Sequence, residues 1–253
     1  MKKPIILVTN DDGITAPGIR HLAKLAQSFG DVYVVAPDKP QSGMGHAVTI
    51  NTTLFCEEVK IDDGCIKEWS CSGTPADCVK IGINELLPQK PDLVLSGINH
   101  GANSAINVLY SGTMSAAIEA GIEGIPSIGF SLLDFSYGAD FKSSLGYLSK
   151  IISAVLENGM PPEVVLNVNI PKGDGVKGIK ICRQAKSNWK ESFVKRESPM
   201  GKPYYWLTGE FLNLDTGPNT DIEALEEGYI SVVPTGFDLT HHQHLGTLKG
   251  WGL

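Results

Sequence analysis

Ile5-Ile6-Leu7-Val8-Thr9-Asn10-Asp11-Asp12-Gly13 is the stretch that decides how the chain folds. Ile5–Thr9 reads as a short strand, apolar along its length and so buried on both faces. The next four residues carry two adjacent carboxylates into a glycine turn. An isolated Asp-Gly marks only a turn. Two carboxylates crowded at the carboxyl end of a strand, however, repel each other unless a cation joins them. Open α/β sheets bind ligands at that edge. Ligation by oxygen alone suits Mg²⁺, Mn²⁺ or Ca²⁺.

Outward from this strand the chain alternates. Pro17 to Phe29 has apolar residues at Ile19, Leu22, Leu25 and Ala26, a helical period opened by Pro17. Val32–Ala36 is a second strand, closed by Pro37-Asp38, which completes a βαβ unit. Thr49 to Trp69 predicts two or three short antiparallel strands, broken at Asp62-Asp63-Gly64. Thr74 caps a helix over Pro75 to Leu86. Strands follow over Leu93–Ser96, Pro126–Ser131 and Val164–Asn169, with helices over Ser115–Ala120 and Lys142–Leu156. The expected fold is α/β: a Rossmann-like, mostly parallel sheet with helices on both faces. Beyond Ile179 the pattern changes. Tyr204-Tyr205-Trp206-Leu207, between Gly201 and Gly209, reads as one arm of a C-terminal β-hairpin. Asp221–Glu227 is a short helix and Tyr229–Val233 a last strand.

Composition narrows the functional classes. The 253 residues are 42% hydrophobic and 19% charged, ordinary for a soluble globular protein. A net charge of −7 argues against a nucleic-acid polymer or an anionic membrane as partner. An anionic small substrate would need a cation or a local cradle of amides. The cysteines at 56, 65, 71, 78 and 182 contain no Cys-x-x-Cys pair. They are expected to be reduced thiols of a cytoplasmic protein. The opening Met1-Lys2-Lys3-Pro4 leads straight into a strand, too short an apolar stretch for a signal peptide or membrane span.

Four loops should converge at one sheet edge. They are Asn10–Gly13, Pro37-Asp38-Lys39-Pro40-Gln41-Ser42-Gly43, Ser96-Gly97-Ile98-Asn99-His100-Gly101-Ala102-Asn103, and Tyr110-Ser111-Gly112-Thr113. They offer carboxylates, hydroxyls and amides with few bases, which is hard-metal chemistry. Ser111-Gly112-Thr113 opens a helix, so its backbone N–H groups present partial positive charge suited to phosphate. A dinucleotide fold would want Gly-x-Gly-x-x-Gly after the first strand, where Asp11 and Asp12 stand instead. The acids of an aspartyl-phosphate phosphatase would be separated by one residue, and no Gly-x-Ser-x-Gly elbow occurs. His241-His242-Gln243-His244 reads as an exposed tail.

Taken together, these loops resemble the SurE (survival protein E) nucleotidase family. The match is carried by Val8-Thr9-Asn10-Asp11-Asp12-Gly13-Ile14, Val35-Ala36-Pro37-Asp38, Ser42-Gly43 and Gly73-Thr74-Pro75-Ala76-Asp77. It continues through Ser96-Gly97-Ile98-Asn99, Gly101-x-Asn103, Tyr110-Ser111-Gly112-Thr113 and Pro203-Tyr204-Tyr205-Trp206, and so spans essentially the whole chain. The resemblance implies one α/β domain over residues 1–253, with about 185–253 holding the protruding hairpin and an oligomerisation segment. It implies hydrolysis of nucleoside 5′- and 3′-monophosphates, and release of phosphate from short polyphosphate. It implies one divalent cation, Mg²⁺ or Mn²⁺, on Asp11, Asp12, Ser42 and Asn99. Asn103, Ser111, Gly112 and Thr113 would hold the phosphate, and the chain would form a homodimer or homotetramer. Met44-Gly45-His46 and Val232-Val233-Pro234-Thr235 depart from the commonest family wording, which bears on substrate preference.

The chemistry expected is attack by a metal-activated water. Asp11 or Asp12 would act as base and His100 is a candidate acid for the leaving oxygen. The alternative is a nucleotide-sensing regulatory protein without turnover. Adjacent carboxylates argue against it, because they repel a bare phosphate.

Overall fold

The apolar run forms strand β1 (Ile5–Thr9), and every residue in it is buried. Successive side chains leave a strand on opposite faces. Ile6 and Val8 therefore enter one core and Ile5 and Leu7 another. The structure is a computed structural model that describes residues 3–136, 138–173 and 175–252. The chain continues through α1 (Pro17–Ala26), β2 (Asp31–Pro37), β3 (Cys56–Val59), β4 (Lys67–Cys71), α2 (Pro75–Ile81) and β5 (Leu93–His100). Then come α3 (Gly112–Ile122), β6 (Ser127–Leu132), α4 (Leu145–Asn158), β7 (Val164–Ile170) and β8 (Ile179–Ile181). The last elements are β9 (Ser187–Glu197), β10 (Pro203–Asn213), α5 (Asp221–Glu226), β11 (Ile230–Gly236) and α6 (Leu245–Lys249).

The central sheet runs β3-β4-β2-β1-β5-β6-β7-β11-β8. From β4 to β7 all neighbours are parallel. Only β3 and β11 pair antiparallel to their inner neighbours. Helices α1 and α4 cover the face of Ile6 and Val8, and α2 and α3 cover the other. The expected mostly parallel, doubly covered sheet is the observed one. From β1 the chain runs first to β2 on one side and later to β5 on the other. Strand order thus reverses at β1, which opens the ligand crevice of such sheets there.

Several local expectations change. β5 does not end at Ser96 but runs to His100, with its register on β6 shifted between Ser96 and Asn99. A bulge of this kind re-aims a strand end without ending it. Helix α2 stops at Ile81 and loosens into a π-type turn over Gly82–Leu86. Its start is sharper than pattern alone gives: Thr74 and Asp77 form a reciprocal capping box. The cysteine expectation is corrected. Cys56 and Cys71 stand opposite each other in the β3–β4 ladder, 4.3 Å apart at Cα, and are joined as a disulfide. Antiparallel register creates that neighbour pair across 15 residues of sequence; spacing could not reveal it. Cys65, Cys78 and Cys182 are free.

The expected hairpin is longer than its aromatic core. β10 pairs along its whole length with β9, as a two-stranded sheet separate from the main one. Its base rests on the main body of the same chain, where Trp189 Nε1 donates to Asn107 Oδ1 at 2.8 Å. Tyr205, Trp206, Leu207 and Phe193 stay exposed. No helix among the described residues is long and apolar enough to cross a membrane.

The crevice depends on how closely α1 approaches β5. A Cβ on Gly18 would stand 1.9 Å from the Ile98 carbonyl oxygen. Gly18→Ala must therefore push α1 off the sheet. Urea unfolding is expected to show stability lowered by about 3 kcal/mol with an unchanged m-value.

Candidate functional site

Asp11 leaves the end of β1 and is only 4% exposed. Thr113 Oγ1 donates to its Oδ1 at 2.5 Å. Burial pushes the Asp11 carboxyl up to about 6; the Asp12 charge adds to the rise and the Thr113 hydrogen bond opposes it. Asp12 turns toward β5. The His100 backbone N–H donates to Asp12 Oδ2 at 3.0 Å, and His100 Nδ1 lies 3.6 Å from the same oxygen. The His100 ring meets Phe141 edge-on, with centroids 4.8 Å apart, which fixes its orientation.

Asn99 sits on β5 itself. Its Nδ2 donates to the Gly101 carbonyl at 2.7 Å, so its Oδ1 is the atom left to accept or ligate. Asn103 is held by a buried amide network. Its N–H donates to Asn169 Oδ1 at 2.7 Å, and its Nδ2 to Ser131 Oγ at 2.8 Å. Asn167 Nδ2 donates in turn to the Asn103 carbonyl at 2.9 Å.

Helix α3 begins at the site. Ser111 is its N-cap, and Ser111 Oγ accepts from the Met114 N–H at 3.0 Å. The N–H groups of Gly112 and Thr113 have no partner within the helix. Gly112 is a steric requirement: a Cβ there would lie 2.8 Å from Asp11 Cβ and 3.1 Å from its Oδ2. The positive end of α3 is thus set directly on a buried carboxylate.

Ser42 lies on an exposed turn after β2, yet its loop is fastened at several points. The Gln41 N–H donates to the Asp11 carbonyl at 2.7 Å, and the Gly45 N–H to the Tyr110 carbonyl at 3.2 Å. His46 Nε2 pairs with Glu119 Oε2 at 2.8 Å, and Lys80 pairs with Glu119 Oε1 at 2.6 Å. Burial pushes the Glu119 carboxyl up, but the bonds from His46 and Lys80 outweigh it and hold the group below its usual value. This clasp on the buried Glu119 ties the Ser42 loop to α3.

The sequence-selected residues converge on one cavity of about 770 Å³. Asp11, Asp12, Ser42, Asn99, Asn103 and Ser111 line it; Gly112 and Thr113 stand behind Asp11. His100 also lines it. The His241–His244 stretch lies apart and exposed, and His242 pairs with Asp238. Among the described residues no group of three or more His, Cys, Asp or Glu is placed to hold a metal. Any cation here would therefore rest on two carboxylates and neutral oxygens. The donor set fits a hard divalent ion, since burial, with the Asp12 charge adding to it, leaves Asp11 short of positive charge.

Sequence reasoning missed two parts of the site. Asn167-x-Asn169 was a readable signal: two amides on one face at the carboxyl end of an apolar strand. The hairpin wall of Trp189, Glu191, Leu207 and Gly209 was not readable, because nothing local says that the arm's base returns to the cavity.

Comparison with known proteins points to one family. The family model described as Survival protein SurE matches residues 6–191. A "5'-nucleotidase SurE" from Christiangramia forsetii is 64% identical, covering 100% of this chain and 98% of the relative. One from Bacteroides fragilis is 46% identical, covering 100% and 99%. The crystal structure of the SurE protein from Aquifex aeolicus superposes with a TM-score of 0.83 at 41% identity, covering 99% of this chain and 100% of that one.

The raised Asp11 carboxyl has a consequence for stability. Its native value of about 6 lies above the unfolded one, so the folded state holds this proton more tightly. The associated stability is full below about pH 4 and is lost as pH rises through 6, a loss of roughly 3 kcal/mol. Urea titrations in chelator are expected to show the native protein losing that amount relative to Asp11→Asn between pH 4 and pH 7.

Proposed function

The chain belongs to the survival protein SurE family, and from that premise we propose that it is a metal-dependent 5′-nucleotidase, a hydrolase of phosphoric monoesters that releases phosphate from nucleoside monophosphates. The observation that carries this reading is the contact between the Asp11–Asp12 pair and the N-terminus of α3, close enough that only glycine fits at position 112. It sets a cation-requiring site beside an anion-attracting one, as a phosphate monoester demands.

In this reading Asp11, Asp12, Ser42 and Asn99 hold one Mg²⁺ or Mn²⁺. Such an ion, when bound, polarises the phosphoryl group and lowers the pKa of water. The protein does the rest. Ser111 Oγ already accepts from Met114, so its hydroxyl hydrogen is free to donate to a phosphate oxygen. Asn103 has one amide hydrogen committed to Ser131 and a second to give. The leading amides of Gly112 and Thr113 add the helix's partial charge to the developing anion. Asp11 or Asp12 takes the proton of the attacking water, and His100, beside Asp12, supplies one to the leaving oxygen. Lys39 is the only Lys or Arg in the four loops and it is exposed, so no buried cationic side chain competes for the phosphate. Because the group recognised is a terminal phosphate, the reading extends to 3′-monophosphates and short-chain polyphosphate.

The chain acts as one α/β unit, with residues from about 185 onward supplying the arm and the assembly segment. We assign it a homodimeric or homotetrameric state. An isolated two-stranded hairpin is marginal in water, and a cluster of exposed aromatics finds cover. Tyr204, Tyr205 and Trp206 are 41%, 58% and 62% exposed.

Two measurements check these assignments. Phosphate release from AMP and from p-nitrophenyl phosphate is expected to vanish in chelator and to fall at least about 100-fold in Asp11→Asn and Asp12→Asn; full activity in either folded variant overturns the metal-site assignment. Light scattering at micromolar concentration is expected to give at least a dimer, and a monomer overturns the assembly assignment.

A further inference from the structure

The phosphate end of the cavity lies at β1 and α3, and the opposite wall is the base of the β9–β10 hairpin. Ladder register pairs Trp189 with Phe211, Glu191 with Gly209 and Phe193 with Leu207. Cross-strand partners share a face, so Trp189, Glu191, Leu207 and Gly209 present one surface, and all four line the cavity. Trp189 is fixed in place. Its Nε1 donates to Asn107 Oδ1 at 2.8 Å, and its ring meets Phe211 edge-on with centroids 5.5 Å apart. Beside it, Gly209 leaves the sheet surface bare; a Cβ there would sit 3.4 Å from the Trp189 ring. The result is a flat floor next to an immobilised indole, the shape that accepts a planar ring by stacking.

Glu191 is the one ionisable side chain on that floor. Among the described residues it makes no hydrogen bond or ion pair, unlike the cavity's other acids, Asp11 and Asp12. An ionised carboxylate only accepts hydrogen bonds. It satisfies an exocyclic amino group and repels an oxo group in the same place. Asn107 also lines the cavity, and with its Oδ1 committed to Trp189 it keeps N–H groups to offer. The wall therefore reads a ring edge that combines an amino donor with a ring-nitrogen acceptor.

We propose that this hairpin face is a nucleobase subsite in which Trp189 stacks on the base and Glu191 selects bases whose exocyclic amino group adjoins a ring-nitrogen acceptor, as in adenine and cytosine. The proposal rests on the nucleotidase reading above. Adenine and cytosine satisfy Glu191; hypoxanthine and uracil, which place a carbonyl oxygen at the corresponding position, do not.

The test is a kcat/KM panel on AMP, IMP, CMP, UMP and ribose 5-phosphate, with the native protein and Glu191→Gln. The native protein is expected to favour AMP over IMP, and CMP over UMP, by about tenfold, mostly through KM. Glu191→Gln, whose amide can turn its NH₂ toward an oxo group, should bring both ratios close to one. Ratios near one in the native protein, or unchanged ratios in the variant, overturn the proposal. A change by one common factor in all five substrates marks a charge effect on the phosphate and overturns it as well. Failure of the native protein to hydrolyse any of the five would overturn instead the nucleotidase reading on which the proposal stands.

Discussion

A carboxylate that is almost fully buried must be compensated by something close, and Asp11 meets this demand with the start of α3. Thr113 donates to one of its oxygens, and Gly112 lies so near the other that a Cβ there would stand 3.1 Å from it. These contacts only partly offset the loss of water, so the carboxyl remains above its ordinary range. The surrounding geometry follows from this residual demand. β1 has to end where α3 begins, and position 112 has to lack a side chain. The donors left facing the cavity are hard oxygens able to hold the charge that Asp11 lacks.

Around this contact the remaining site groups are fixed by two different means. Asn99 rides on the end of β5, and Asp12, in the turn after the neighbouring parallel strand β1, is held to that end by the His100 N–H, so both inherit their precision from the sheet. Ser42 and Asn103 lie on loops, which are mobile unless tied down. Each is tied. Asn103 is embedded among Ser131, Asn167 and Asn169. The Ser42 loop is held by the clasp of His46, Glu119 and Lys80 and by backbone bonds to Asp11 and Tyr110. A buried charge such as Glu119 is tolerated only when paired, and here both partners come from segments that must stay in register with α3.

The hairpin shows how one element can serve two ends. At its base, alternation turns Trp189 and Glu191 into the cavity. Toward its tip, aromatic and aliphatic side chains remain in solvent. Neither end has the burial that would stabilise a two-stranded ribbon by itself. The contact of Trp189 with Asn107 anchors the arm to the main body, and the exposed tip is what the assembly reading accounts for.

Much of this was legible in the residues themselves. Buried parallel strands announce themselves as continuous apolar runs, helices as a 3.6-residue period, and the edge where strands end is where chemistry gathers. Hence Ile5–Thr9, the alternation after it, and the grouping of Asp11, Asp12, Asn99 and Ser111 followed from local pattern. What the sequence could not determine depends on register and on distant neighbours. Strand β9 is exposed on nearly every residue and has no apolar alternation to read. Cys56 meets Cys71 only because two strands pair with that particular offset. β5 runs on through Asn99 because its pairing with β6 resumes after a bulge. His46 finds Glu119, and Glu191 finds the cavity, across 73 residues in one case and across a whole hairpin in the other. Local propensity is a property of a few adjacent residues. Such pairings arise only when the sheet has closed and brought distant segments within a few ångströms, which is why tertiary structure alone decided them.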